Sequence, residues 1–141
     1  LGPVAISGGV IGYLYPDDDG ADTLEVFASL TTDKIEWITP TFSAYWDVDA
    51  IEGGYLEFKL SRSFEIVENI SFDPYALVSY DLEYNSSDTD WNNVQVGASL
   101  PIKMSENIVI SPYIAYSWAL SAIDERQEDE LWGGAKITFS F

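Results

Sequence analysis

Glu25, Glu57, Lys59, Asp73 and Lys136 are the residues whose types and spacing come closest to chemistry. Each lies on the polar phase of a segment in which polar and apolar residues alternate. A sheet built from those segments would gather all five charges on one face. Charges withdrawn from water need partners, so ion pairs within the cluster are expected. If Phe64 faces Ile70 across a turn at Val67-Glu68-Asn69, Lys59 stands diagonal to Asp73. Two uses of such a cluster are open: a polar plug that holds the sheet together, or a gated, proton-conducting interior.

A second group is acidic. Asp17, Asp19 and Asp22 stand in the run Asp17-Asp18-Asp19-Gly20-Ala21-Asp22, and Asp47, Asp49 and Glu52 form a looser set. Clustered carboxylates suit Ca²⁺, but the alternate-position ligands and terminal Glu of an EF-hand loop are missing. Solvated loops that repel their neighbours are the plainer expectation, and no metal or other cofactor is assigned. The chain contains no His and no Cys. The commonest general base, the commonest metal ligand, thiolate sites and disulfides are thereby removed, and no enzyme is expected. A net charge of −18, from 24 acidic and 6 basic residues, excludes nucleic acid as a partner. Hydrophobic residues still make up 47% of the chain and aromatics 15%, so the charge must be segregated from the apolar residues.

The 141 residues make one domain, residues 1–141, of eight alternating segments. Their apolar faces are Val4, Ile6, Val10, Leu14; Leu24, Val26, Ala28, Leu30; Ile38, Pro40, Phe42, Ala44, Trp46; Leu56, Phe58, Leu60, Phe64; Ile70, Phe72, Ala76, Val78, Tyr80, Leu82; Val94, Val96, Ala98, Leu100, Ile102; Ile108, Ile110, Ile114, Tyr116, Trp118, Leu120; and Leu131, Gly133, Ala135, Ile137, Phe139, Phe141. Short turns near Thr32-Asp33-Lys34, Val67-Glu68-Asn69 and Met104-Ser105-Glu106 alternate with longer, acidic connections. Pro3, Pro40, Pro74 and Pro112 recur 37, 34 and 38 residues apart, one hairpin each. Since proline cannot donate to a ladder and is tolerated chiefly at strand entries, each is expected near the start of an odd-numbered strand.

The opposite face is mostly Ser, Thr and Gly, with Ser43, Ser79, Gln95 and Ser99 among them. Eight strands enclose a space that side chains just fill, so this face is expected to point inward. The apolar face would then point outward with two aromatic bands. Trp46, Tyr80, Tyr84, Tyr116 and Trp118 lie near the acidic loops; Phe64, Phe72, Phe139 and Phe141 lie near the short turns. Glu36 and Arg62 are the charged exceptions on the apolar face, and both fall at segment ends.

This pattern resembles that of small bacterial outer-membrane β-barrels, of the size of the OmpA transmembrane domain or OmpX. The likeness covers the whole chain. Its sharpest element is the terminal segment, where Phe139 and Phe141 match the signal read by the barrel-assembly machinery; Lys136 stands where that signal has Gly, which leaves the particular family open. Tyr45-Trp-Asp-Val-Asp is also similar to Gram-negative surface proteins without an assigned role. The resemblance implies an all-β, eight-stranded antiparallel up-and-down transmembrane β-barrel. It would sit in the outer membrane among lipid and lipopolysaccharide, with acidic loops outside and both termini in the periplasm. Divalent cations could bridge those loops to the lipopolysaccharide. Leu1 is not an initiator Met, so a processed or trimmed chain is expected. The expected role is non-enzymatic: structural support or surface interaction. The alternatives are a narrow channel or the C-terminal part of a larger barrel, and a soluble lipocalin-like ligand-binding barrel with its apolar face inside.

Overall fold

Alternation becomes strands almost segment for segment in the computed structural model, which describes residues 4–14, 22–32, 35–85, 87, 89–125 and 127–140. The strands are β1 (Val4–Tyr13), β2 (Thr23–Thr32), β3 (Thr39–Asp47), β4 (Gly54–Ser61), β5 (Phe64–Val67), β6 (Ile70–Leu82), β7 (Thr89–Ser99), β8 (Ile102–Ser105), β9 (Ile108–Ala119) and β10 (Glu130–Phe139). All pair antiparallel in one sheet, in the order β1-β2-β3-β4-β6-β7-β9-β10. The short β5 adds to β6, and β8 adds to β6 and β9. No helix occurs among the described residues.

Among the described residues ten strands replace the expected eight because the fourth and sixth segments are each interrupted, and proline is the reason. Arg62 donates its N–H to the Pro74 carbonyl (3.2 Å), and Leu100 donates to the Pro112 carbonyl (2.9 Å). Neither proline has an N–H to return, and Pro101, in the gap between β7 and β8, has none either, so the ladder breaks at both places. Pro40, Pro74 and Pro112 lie near the starts of β3, β6 and β9, as expected, and Pro74 and Pro112 stand where the neighbouring strand is interrupted. Pro3 lies outside the described residues.

The expected antiparallel sheet is present, and its closure into a barrel is not part of the observed pairing. Among the described residues β1 pairs only with β2 and β10 only with β9, so each leaves one edge without a strand partner. Both strands run from or toward the short-turn end: Val4 pairs with Thr32 and Phe139 with Ile108.

The sheet is apolar outside and polar inside. Phe58, Val96 and Ile114 are 45%, 39% and 55% exposed, whereas Ser43 and Ser79 are buried. Among the described residues eight polar or charged ones are buried (Glu25, Ser43, Asp47, Ser79, Asp81, Asn92, Asn93 and Ser117). Only four apolar ones among the described residues are buried (Leu77, Ala115, Ala122 and Ile123). Such an inversion suits a convex face that meets something other than water. The inner face is held by cross-strand hydrogen bonds. Asn93 links three strands: its Oδ1 accepts from the Ser79 hydroxyl and from Tyr55 (3.3 Å), while its amide donates to Ser117 (2.5 Å). No buried side-chain nitrogen or oxygen among the described residues lacks a partner, as the cost of desolvating such groups requires.

Small residues on the inner face make room for large ones. Gly9, Gly97 and Gly134 stand directly opposite Phe27, Tyr75 and Tyr113, whose rings lie over them. A Cβ at Gly97 would come within 2.7 Å of the Tyr75 ring. That ring is pinned by the Gln95 amide on its hydroxyl (2.5 Å) and by Lys59 Nζ over its face (4.5 Å). Gly97→Ala is therefore expected to lower stability by about 1–3 kcal/mol through overpacking. The midpoint of a urea unfolding curve measures this; an unchanged midpoint would show that the ring moves freely.

Candidate functional site

The concave face opens toward the acidic loops as a cavity of about 510 Å³. Its walls come from strands spread across the sheet. Ile11 and Tyr13 belong to β1, Glu25 to β2, Tyr45 to β3, Tyr55 and Glu57 to β4, Asn92 and Asn93 to β7, Ser117 to β9, and Glu130 and Trp132 to β10. Tyr84, Asn85, Ile123 and Gln127 enter from the loops. Both edge strands thus face the same space.

Aromatic rings run along one wall. Phe27, Tyr45 and Tyr55 are cross-strand neighbours in direct register. Phe27 stacks on Tyr45 with ring centroids 5.9 Å apart; Tyr45 and Tyr55, and then Tyr55 and Tyr84, follow at 6.1 Å. The sequence placed small polar residues here and put Tyr84 on the outer face. Glu83 explains the second difference: its φ of 63° bends the chain after β6 and turns Tyr84 inward. Burial first, and then the neighbouring Glu25 carboxylate, hold the Tyr84 phenol above its ordinary pKa. It stays a neutral hydrogen-bond donor at physiological pH.

The rim is built by three aspartates. Asp47 has no exposed surface; its carboxylate accepts from the Thr23 hydroxyl (2.5 Å) and from the N–H groups of Asp49 and Ile51 (3.0 Å each), which fixes the loop after β3. Asp81, equally buried, accepts from the N–H groups of Tyr84 (2.7 Å) and Asn85 (2.8 Å) and from the side-chain amides of Asn85 (2.7 Å) and Asn92 (3.2 Å). Asp129 accepts from Tyr116 and from the Ala119 N–H (3.1 Å each). Of the Ca²⁺ candidates, Asp47 is committed to holding its loop, Asp22 and Asp49 are exposed, and Asp17 and Asp19 lie outside the described residues. The described residues contain no group of three or more acidic side chains placed to hold a metal ion.

Of the expected charge cluster, Glu25, Glu57 and Lys59 stay close enough to interact electrostatically, whereas Asp73 turns to Ser63 and Lys136 is exposed on an edge strand. Asp73 accepts from the Ser63 hydroxyl (2.6 Å), and Glu57 accepts from Tyr45 (3.4 Å). Lys59 lies over the Tyr75 ring, Glu25 is buried in the cavity wall, and Lys136 is exposed on β10 opposite Ser111. The register is the cause. Phe64 faces Phe72 rather than Ile70, so Lys59 faces Leu77, and its diagonal neighbour becomes Tyr75. The hairpin that sets this register turns at Glu68-Asn69, with Asn69 at φ 72°.

On the convex face the aromatic bands take shape. Trp46, Tyr80, Tyr116 and Trp118 gather near the acidic loops, with Tyr116 edge-on to Trp118 at 4.8 Å. Trp91 joins them, 5.3 Å from Tyr80. Simple alternation places Trp91 on the other face; an irregularity at Asn92-Asn93, both opposite Ser79, shifts the phase by one residue. At the short-turn end Phe64, Phe72 and Phe139 are exposed. The Arg62 guanidinium lies over the Trp37 and Phe64 rings (5.4 and 4.8 Å) and donates to the Trp37 carbonyl (3.0 Å). Phe141, the last residue of the expected assembly signal, lies outside the described residues. No helix among the described residues is long and apolar enough to cross a membrane.

Comparison of the chain with protein-family models, with curated proteins and with solved structures finds no match.

Proposed function

We propose that this chain is an outer-membrane β-barrel whose role is structural or surface-interactive rather than enzymatic. Its convex face meets lipid, its acidic loops face outward among lipopolysaccharide, and both ends lie in the periplasm after insertion by the barrel-assembly machinery. One observation carries this reading: large apolar side chains such as Phe58, Val96 and Ile114 are exposed along the middle of the strands, while polar side chains are buried. A soluble ligand-binding barrel reverses that arrangement. The aromatic bands at the two ends of the strands add support, as does the placement of Arg62, whose charge is directed along ring faces at a strand end.

In lipid, the unpaired edges of β1 and β10 would leave backbone groups without partners, which a bilayer does not tolerate. Closure of β1 on β10 is the arrangement we favour. The two strands border one cavity, and their directions suit an antiparallel pair. A second reading has further strands between them, forming a larger barrel with a channel; the exposure of every residue of β10 favours it. Disulfide scanning separates the two, and the absence of native Cys makes it clean. A cysteine at Val10 is paired in turn with one at Leu131, Gly133, Ala135 or Ile137, all on the outer phase. Direct closure brings one or two of these pairs within the roughly 4.4–6.8 Å Cα separation of a disulfide. Cross-linking by none would favour intervening strands, and stable conductance in a planar bilayer would then be expected. The membrane reading itself is tested by extraction. The chain should remain with the membrane fraction until detergent is added, and release by salt alone would refute it.

A further inference from the structure

We propose that the short-turn end of the convex face carries a binding site for the phosphodiester head group of a glycerophospholipid, centred on Arg62. The proposal rests on the membrane reading and deepens it by naming one lipid contact. Arg62 stands on the outer phase between Leu60 and Phe64, in the break between β4 and β5 where its N–H meets the Pro74 carbonyl. The side chain is half-buried, and three contacts fix its head. Nη1 donates to the Trp37 carbonyl (3.0 Å), and the guanidinium lies over the Trp37 and Phe64 rings at 5.4 and 4.8 Å. A guanidinium carries five N–H donors in one plane. The carbonyl accepts from one of them, and the ring contacts hold the cation without neutralising its charge. Donors remain for two oxygens of a phosphate, the bidentate pairing that suits a guanidinium best.

The surroundings select a lipid rather than a free anion. Trp37, Phe64 and Phe72, which faces Phe64 across the ladder, are all exposed, as is Ile35 in the turn that carries Trp37. The fixed charge thus sits among apolar side chains that continue up the strands to Phe58. A phosphodiester carries its charge at the root of two acyl chains, so one ligand answers both the cation and the apolar surface around it. A free side chain would swing its charge past the interface into water. Held by two rings and a carbonyl, Arg62 stays at the level of the aromatic band and loses little further freedom when a head group arrives.

The test uses the folded full chain in detergent micelles with equal amounts of phosphatidylglycerol and of a diacylglycerol bearing the same acyl chains. Native mass spectrometry counts the lipid each molecule retains. Wild type should retain the phospholipid at least roughly tenfold over the diacylglycerol. Phosphatidylethanolamine, which has the same diester, should show the same preference. Arg62→Gln should bring the ratio to within about twofold of parity, and Arg62→Lys, a point charge without the planar fork, should keep only part of it. Trp37→Ala leaves the charge in place, removes one ring and should weaken retention several-fold. Glu65→Gln, on the inner phase of β5 beside Ser71 and Lys103, should change nothing. Excess inorganic phosphate should not displace the lipid, because it brings no chains to the apolar surface. Equal retention of both lipids by wild type, no preference with phosphatidylethanolamine, full preference in Arg62→Gln, or displacement by inorganic phosphate would overturn the proposal. Should circular dichroism show that Arg62→Gln has lost its sheet, Arg62→Lys and Trp37→Ala carry the test, and an unchanged ratio in both overturns it. A chain that salt releases from the membrane fails the membrane reading whatever Arg62 does. A detergent-requiring chain whose lipid preference ignores Arg62 fails this proposal alone.

Discussion

Replacing Ile114 with lysine is expected to lower the stability of the bilayer-inserted protein by about 2–4 kcal/mol, the cost of a basic side chain near the midplane of a lipid-facing strand. Ile114 lies in the middle of β9 on the convex face and is 55% exposed. In water, the same change at an exposed position would alter stability by roughly 0.5 kcal/mol or less. Few substitutions separate the two environments so widely. Met104→Lys, at the short-turn end in β8, serves as the internal comparison. It is equally exposed, yet should cost only about 0–1 kcal/mol because the head group can reach the interface. Reversible urea unfolding in liposomes measures both. Similar small costs at the two positions would remove lipid from the convex face.

Asp81→Ala should destabilise the protein by about 2–4 kcal/mol, through loss of charged hydrogen bonds and desolvated donors left unpaired. Four donors converge on this carboxylate: the N–H groups of Tyr84 and Asn85 and the amides of Asn85 and Asn92. They tie the end of β6 to the following loop and to β7. The damage should be greatest at the rim, so limited proteolysis is expected to cut after Leu82 before the strands unfold. Asp81→Asn retains an acceptor but no charge and adds a donor where donors already crowd; it should fall between wild type and Ala. A global loss of sheet without early rim cleavage would contradict the assigned role.

Much of the fold was legible because a strand with two different faces writes its period into the chain. The alternation in Glu57-Phe58-Lys59-Leu60 fixes which side chains share a face whatever the strands pair with, and the structure keeps that assignment. The prolines near the strand starts were legible, but their effect on neighbouring strands was not. Their spacing marks a repeat, yet only the pairing of Pro74 with Arg62 and of Pro112 with Leu100 reveals that each cuts the neighbouring strand. Trp91 was hidden because one extra residue at Asn92-Asn93 reverses the phase, and a bulge leaves no mark in a simple count of alternation. Tyr45, Tyr55 and Tyr75 stood in the polar phase all along. Their meeting with Gly97, Lys59 and one another depends on register, so the aromatic cavity escaped notice.

The sequence alone determined the all-β class, the sidedness of each strand and the end at which acidic residues collect, since all three follow from local order along the chain. Tertiary structure alone decided which members of the charge cluster meet, the ring-lined cavity, the use of Asp47, Asp81 and Asp129 as loop anchors and, among the described residues, the two open edges. A register shift of two residues between neighbouring strands preserves every face while changing every partner, and contacts between strands are what partners are made of.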